Sequence, residues 1–239
     1  MGATELILVR HGESTANVAA TAALRAGAEA AAPGVRDADA PLSGAGRRQG
    51  QALGRWFAGL PPGRRPTAVW CSPYLRARRT AALAGLRGLR LDERLRDREQ
   101  GILELLTPRG VAARFPEEAR RRQRLGRFAY RPPGGESWAD VALRLRSVLG
   151  DIDAAGDGRR VAVLCHDAVI LLIRYVCEGL DEDGLLALDG VSNGSVTRLL
   201  RPTGRGFWTL DTFNSVGHLR AAGAPVTEHP GDDDAQPRN

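Results

Sequence analysis

A chain of 239 residues with 43% apolar side chains can bury one sizeable core, but no apolar run approaches the ~20 residues that a membrane span needs. The net charge is +6 and the pI about 10.1, with arginine as the sole basic residue apart from four histidines; this fits a solvated basic surface or an anionic partner that suits the planar guanidinium fork. Cys71, Cys165 and Cys177 are too few and too widely spaced for a disulfide framework or a zinc pattern, and no basic leader follows Met1, so a cytoplasmic protein is expected.

Residues 4–9 read as a short buried strand, followed at once by Arg10, His11 and Gly12. Residues 14–29, rich in Ala, suit a helix, and residues 33–41 are a loop by composition. Ser43 can cap a helix running to about Leu60, with Ala52, Leu53, Trp56 and Phe57 on its apolar face, and residues 61–63 (Pro-Pro-Gly) end it. Residues 67–71 form a second strand and residues 74–86 a second helix. Residues 97–135 have weak periodicity, hold the basic run 120–124 and end in a Pro-Pro-Gly-Gly breaker, which marks a lid-like excursion. Ser137 caps a strong amphipathic helix bearing Trp138, Val141, Leu145 and Val148. Residues 161–165 are a third strand that ends at His166, residues 168–178 a helix, and residues 195–200 with 207–212 a terminal hairpin. One domain over residues 1–220 and a disordered tail over 221–239 are expected.

Strands alternating with helices imply an α/β fold with a largely parallel sheet, and ligands of such sheets bind beyond the carboxyl ends of the strands. His11 and His166 both stand immediately after predicted strands, so the pattern places them on one rim although 155 positions apart.

Several blocks in order carry a resemblance. Leu8 to Asn17 reads Leu-Val-Arg-His-Gly-Glu-Ser-Thr-Ala-Asn; Asp39 opens Asp-Ala-Pro-Leu-Ser; Cys71 opens Cys-Ser-Pro-Tyr-Leu-Arg; Leu95 opens Leu-Arg-Asp-Arg-Glu-Gln-Gly; Gly134 opens Gly-Gly-Glu-Ser; Val163 opens Val-Leu-Cys-His; and Val191 opens Val-Ser-Asn-Gly-Ser. Together these resemble the histidine phosphatase superfamily, the phosphoglycerate mutase-like family, over most of residues 4–212. The resemblance implies a three-layer α/β/α sandwich. It also implies His11 as the phosphoryl-accepting nucleophile, with Arg10, Arg76, His166 and Asn17 on the phosphate oxygens. Asp97 stands in the register of the family's proton-donating Glu, with Glu99 as its substitute, and Glu13 and Ser14 sit beside the nucleophile to orient the site or touch substrate. Asp167 departs from the small residue common after the second histidine and is expected to point away or pair with an arginine.

This chemistry suits phosphoryl transfer, whose transition state spreads negative charge over the equatorial oxygens and needs positioning and positive charge above all. A small phosphorylated substrate is the expected partner, with no cofactor and no metal; the oligomeric state, a homodimer included, is left open. The competing functions are a mutase that returns the phosphoryl group to its substrate, and a non-catalytic phosphate- or RNA-binding protein. Phe128 and Tyr130 are too few as exposed aromatic partners to favour nucleic acid.

Overall fold

The computed structural model describes residues 2–32, 34–155, 158–201 and 206–229. Its elements in chain order are β1 (Glu5–Arg10), α1 (Thr15–Arg25), α2 (Gly44–Gly59), β2 (Ala68–Cys71), α3 (Leu75–Leu83), β3 (Leu89–Leu91), α4 (Pro108–Arg114), α5 (Pro116–Ala129), α6 (Trp138–Ala154), β4 (Arg160–Cys165), α7 (Asp167–Glu178), α8 (Glu182–Leu186), β5 (Val196–Leu200), β6 (Thr209–Ser215) and α9 (Gly217–Ala221). Single 3-10 turns lie at Asp37–Asp39, Pro62–Arg64, Glu93–Leu95 and Gly101–Leu103.

The strands form one sheet in the order β3-β2-β4-β1-β5-β6. β3, β2, β4 and β1 run parallel, and β5 and β6 add antiparallel at one edge. Alternation in β1 divides the core in two. Leu6 and Leu8 face a cluster with Val163, Trp138, Leu145 and Ile170, which seats α6 and α7 on one face. Ile7 and Val9 face Leu53, Phe57, Ala77 and Ala81, which seats α2 and α3 on the other. The result is the expected three-layer α/β/α sandwich.

Local chemistry sets the helix starts that matter for the rim. Ser43 Oγ accepts from the Gly46 amide and Ser137 Oγ from the Asp140 amide, the two caps that the sequence predicts, and the Asp140 side chain accepts in return from the Ser137 backbone. Gly179 closes α7 in the left-handed region at φ +70°.

The structure adds to the expectations at three points. β3 carries no sequence signal of its own: Leu-Arg-Leu is too short a run for its alternation to mark a strand, and its edge position leaves Leu91 exposed. Residues 97–135, expected as a lid-like excursion, contain α4 and α5 and are tied to the residues after α1 by Ala31 N donating to Leu105 O (2.8 Å) and Thr107 N to Glu29 O (3.0 Å). The tail is ordered as far as His229: Gln49 Nε2 donates to Pro225 O (3.0 Å) and Thr227 Oγ1 (2.9 Å), and Asn193 N donates to Thr227 O (3.0 Å). The remainder of the expected tail, residues 230–239, lies outside the described residues.

Candidate active site

β4 lies between β1 and β2, so the carboxyl ends of the three strands share one rim. β1 delivers Arg10 and His11, β4 delivers His166, and the turn after β2 delivers Ser72 and Tyr74 and then Arg76 in the first turn of α3. The His11 and His166 ring centroids are 5.1 Å apart, and both rings are buried.

The loop after β1 is held from several sides. His11 N donates to Cys165 O (3.0 Å), Gly12 N to Thr80 Oγ1 (2.9 Å), Glu13 N to Gln49 Oε1 (2.8 Å), and Asn193 Nδ2 to His11 O (3.2 Å). It runs against the start of α2 so closely that a Cβ on Gly46 would lie 2.0 Å from Glu13 O, which is why glycine stands there.

His11 Nδ1 is 2.8 Å from Gly12 O. A carbonyl only accepts, so Nδ1 carries the proton and the lone pair falls on Nε2. Burial lowers the His11 pKa well below the usual imidazole value, and the charges of Arg76, His166 and Arg10 lower it further. The ring is therefore neutral at neutral pH, with Nε2 turned to the Arg76 Nε–H at 3.1 Å.

Arg76 continues from His11 to two carboxylates. Nη1 donates to Asp37 O (2.6 Å) and Oδ1 (3.0 Å), and Nη2 to Asp37 Oδ2 (2.9 Å) and Asp97 Oδ2 (3.0 Å). The same Asp97 oxygen is 3.1 Å from His166 Nδ1, while His166 Nε2 is 2.8 Å from Ser72 Oγ. Burial opposes charge on Asp97, but His166 and Arg76 outweigh it and hold the carboxyl well below the usual carboxylate range. Burial lowers His166 more than Asp97 raises it.

The structure thus brings His11, Arg76, Asp97 and His166 into mutual contact, with Arg10 on the same wall. Arg10 Nη1 donates to Val191 O and lies 3.9 Å from Asp167 Oδ2, while Asp167 Oδ1 accepts from Val191 N (2.9 Å). Asp167 accordingly pairs with an arginine, and that arginine comes from β1. Asn17 also lines the cleft. Its Oδ1 accepts from Ser14 N at 3.1 Å, which leaves its amide NH2 as the remaining polar group.

Ser14 is fully buried as the cap of α1 and does not line the cleft. Glu13 also stands behind the cleft wall, where its carboxylate accepts from Ser43 Oγ (2.5 Å) and meets His229 Nε2 (2.8 Å). Glu99 lines the cleft but turns its carboxylate to Tyr74, whose hydroxyl donates at 3.0 Å. The run 120–124 lies on α5 away from the cleft, with Arg120 and Arg121 paired to Glu117 and Glu118; Arg127 from the same helix lines the cleft and stacks on Trp138 at 4.2 Å.

Sequence reasoning missed Asp37 and His229, both of which line the cleft. Asp37 sits in a stretch that composition marks only as loop, and His229 in one that polarity marks only as tail. Among the described residues, His11, Asp97 and His166 also offer ligand atoms within 4.8 Å of one another, a spacing open to a cation. Arg76 donates to two of those atoms and competes for them.

A cleft at the carboxyl rim of an α/β/α sandwich, with two histidines and two arginines around one point, defines a phosphoryl-handling site. Residues 6–216 match the histidine phosphatase superfamily (branch 1), and the chain belongs to that family. It is 30% identical to chicken (Gallus gallus) 6-phosphofructo-2-kinase/fructose-2,6-bisphosphatase over 74% of this chain, although the match spans only 34% of that longer relative. It is 28% identical to the glucosyl-3-phosphoglycerate phosphatase of Mycolicibacterium vanbaalenii over 94% of this chain and 89% of the relative. The solved structure of a mycobacterial glucosyl-3-phosphoglycerate phosphatase with VO3 superposes with a TM-score of 0.68 at 27% identity, covering 89% of this chain and 99% of that one. These relatives are phosphatases of the superfamily. Among the described residues, no helix is long and apolar enough to cross a membrane.

Proposed function

We propose that this chain hydrolyses a small phosphate monoester in two steps through a phosphohistidine on His11. The observation that carries the reading is the fixed tautomer of a buried, neutral His11, whose Nε2 lone pair faces Arg76 beside His166. In the first step Nε2 attacks phosphorus, the Nε2–P bond forms, and the P–O ester bond breaks. Arg10, Arg76 and His166 hold the equatorial oxygens, with the Asn17 amide as a further donor. Asp97 supplies the proton to the leaving oxygen; in the second step it takes one from a water whose oxygen bonds to phosphorus as the Nε2–P bond breaks, which frees inorganic phosphate and restores neutral His11. Substrate oxygens that take up the Arg76 and His166 donors loosen their hold on ionised Asp97, so its proton affinity rises and it takes a proton from solvent, which it then gives to the leaving oxygen. Glu99 is the substitute donor, and Glu13 supports the nucleophile loop through Ser43 and His229.

The names of the relatives point to a phosphorylated sugar or glycerate derivative. Arg36, Arg98 and Arg127 on the cleft wall suit a substrate with further oxygen-rich groups. The reaction needs no metal, and the protein acts in the cytoplasm. The test is a phosphate-release screen over sugar phosphates, glycosylated and simple phosphoglycerates and nucleotides, with His11→Ala as the blank. Phosphate release that the blank lacks supports the reading. Isomerised 3-phosphoglycerate without free phosphate would replace it with a mutase, and equal release by the blank would remove it.

A further inference from the structure

We infer that Asp37 is a displaceable stand-in for the substrate phosphate, so that each phosphoryl group enters by exchanging with this carboxylate on Arg76. The inference rests on the reading of Arg76 as a phosphate clamp.

A guanidinium has five N–H donors. In Arg76 all five are engaged: one by His11 Nε2, three by the carbonyl and both carboxylate oxygens of Asp37, and one by Asp97. A bidentate grip on phosphate therefore requires that at least two of these bonds break. The fork-to-fork pairing with Asp37 is the geometry that two phosphate oxygens would adopt, at 3.0 and 2.9 Å.

Of the two carboxylates, Asp37 is the one able to leave. Asp97 is fastened by the Arg98 amide (3.0 Å) and lies against His166 (3.1 Å). Asp37 heads a single 3-10 turn, Asp37–Asp39, which starts without a side-chain cap, and among the described residues its carboxylate is hydrogen-bonded by Arg76 alone. Arg36, Asp37 and Ala38 all line the cleft, so the turn forms part of its wall. Once displaced, Asp37 remains an anion beside an anion, which weakens substrate and product phosphate alike. A positioning role for Asp37, with the carboxylate staying on Arg76 through turnover, predicts the opposite effect of its removal.

The experiment measures binding of inorganic phosphate and orthovanadate by titration calorimetry and as competitive inhibition, for the full chain and for Asp37→Asn and Asp37→Ala. Melting curves identify folded variants, and the Asn variant keeps the size of the side chain. The expected result is about tenfold tighter phosphate binding, equivalent to ~1.4 kcal/mol, with KM falling by a similar factor. Tighter binding by the variants supports the inference even where the parent chain binds too weakly to measure. Unchanged or weaker binding by both variants, with an active parent chain, overturns the inference alone. A parent chain and variants that neither bind phosphate nor release it from any ester would overturn the phosphatase reading as well.

Discussion

The two buried histidines make both activity and stability depend on pH in a direction that can be worked out. His11 has a folded pKa well below 6.5, first because burial penalises its charge and then because Arg76, His166 and Arg10 repel it. Its stabilisation is thus present above the unfolded value and is lost as pH falls below it, since the unfolded chain takes up a proton that the native ring refuses. Linkage for one such group integrates to about 1.4 kcal/mol between pH 7.5 and 5.5. His11→Asn deletes that one proton, so in paired denaturant melts the stability difference between parent and variant should shift by about 1.4 kcal/mol across this interval, the parent losing more. The same group sets the acid limb of kcat/KM, which should fall only well below pH 6.5. A stability difference independent of pH, or an acid limb at the ordinary imidazole value, would refute the assignment of a neutral, buried nucleophile.

Other changes test other parts of the site. Arg76→Lys keeps the charge but loses the fork, and should lower kcat/KM by roughly 100- to 1,000-fold, or ~3–4 kcal/mol, in steady-state assays. Gly46→Ala drives a Cβ to within 2.0 Å of the Glu13 carbonyl, so it should cost about 1–3 kcal/mol in denaturant melts and also lower activity by moving the His11 loop. Prolonged dialysis against EDTA should leave phosphate release unchanged, whereas loss restored by added metal would point to a cation on His11, Asp97 and His166.

The catalytic rim was legible because its residues interrupt strong patterns. Arg10 and His11 end a strand whose six residues are all buried, and His166 ends another that is nearly so. Arg76 was reachable only through the Cys-Ser-Pro-Tyr-Leu-Arg block, since its helix is short and rich in arginine. Asn17, expected on the phosphate oxygens, and Ser14, expected beside the nucleophile, share a capping box that uses Ser14 wholly and Asn17 by its oxygen alone. α4 and α5 escaped notice because α5 buries no residue, changes direction at Gly126 and carries Arg120, Arg121 and Arg124 into solvent. His229 reaches the cleft through hydrogen bonds of residues 225–229 to Gln49, Asn193 and Glu13, partners far away in sequence that no local pattern announces. Asp37 is a product of the same non-local geometry.

The covalent step is tested most directly by trapping it. Rapid mixing with a turned-over phosphate ester, followed by alkaline quench and peptide mass analysis, should find an acid-labile, base-stable phosphoramidate on His11, formed and lost at rates compatible with turnover. Turnover that proceeds at full rate with no phosphate on His11, or with phosphate on another side chain, would contradict the account.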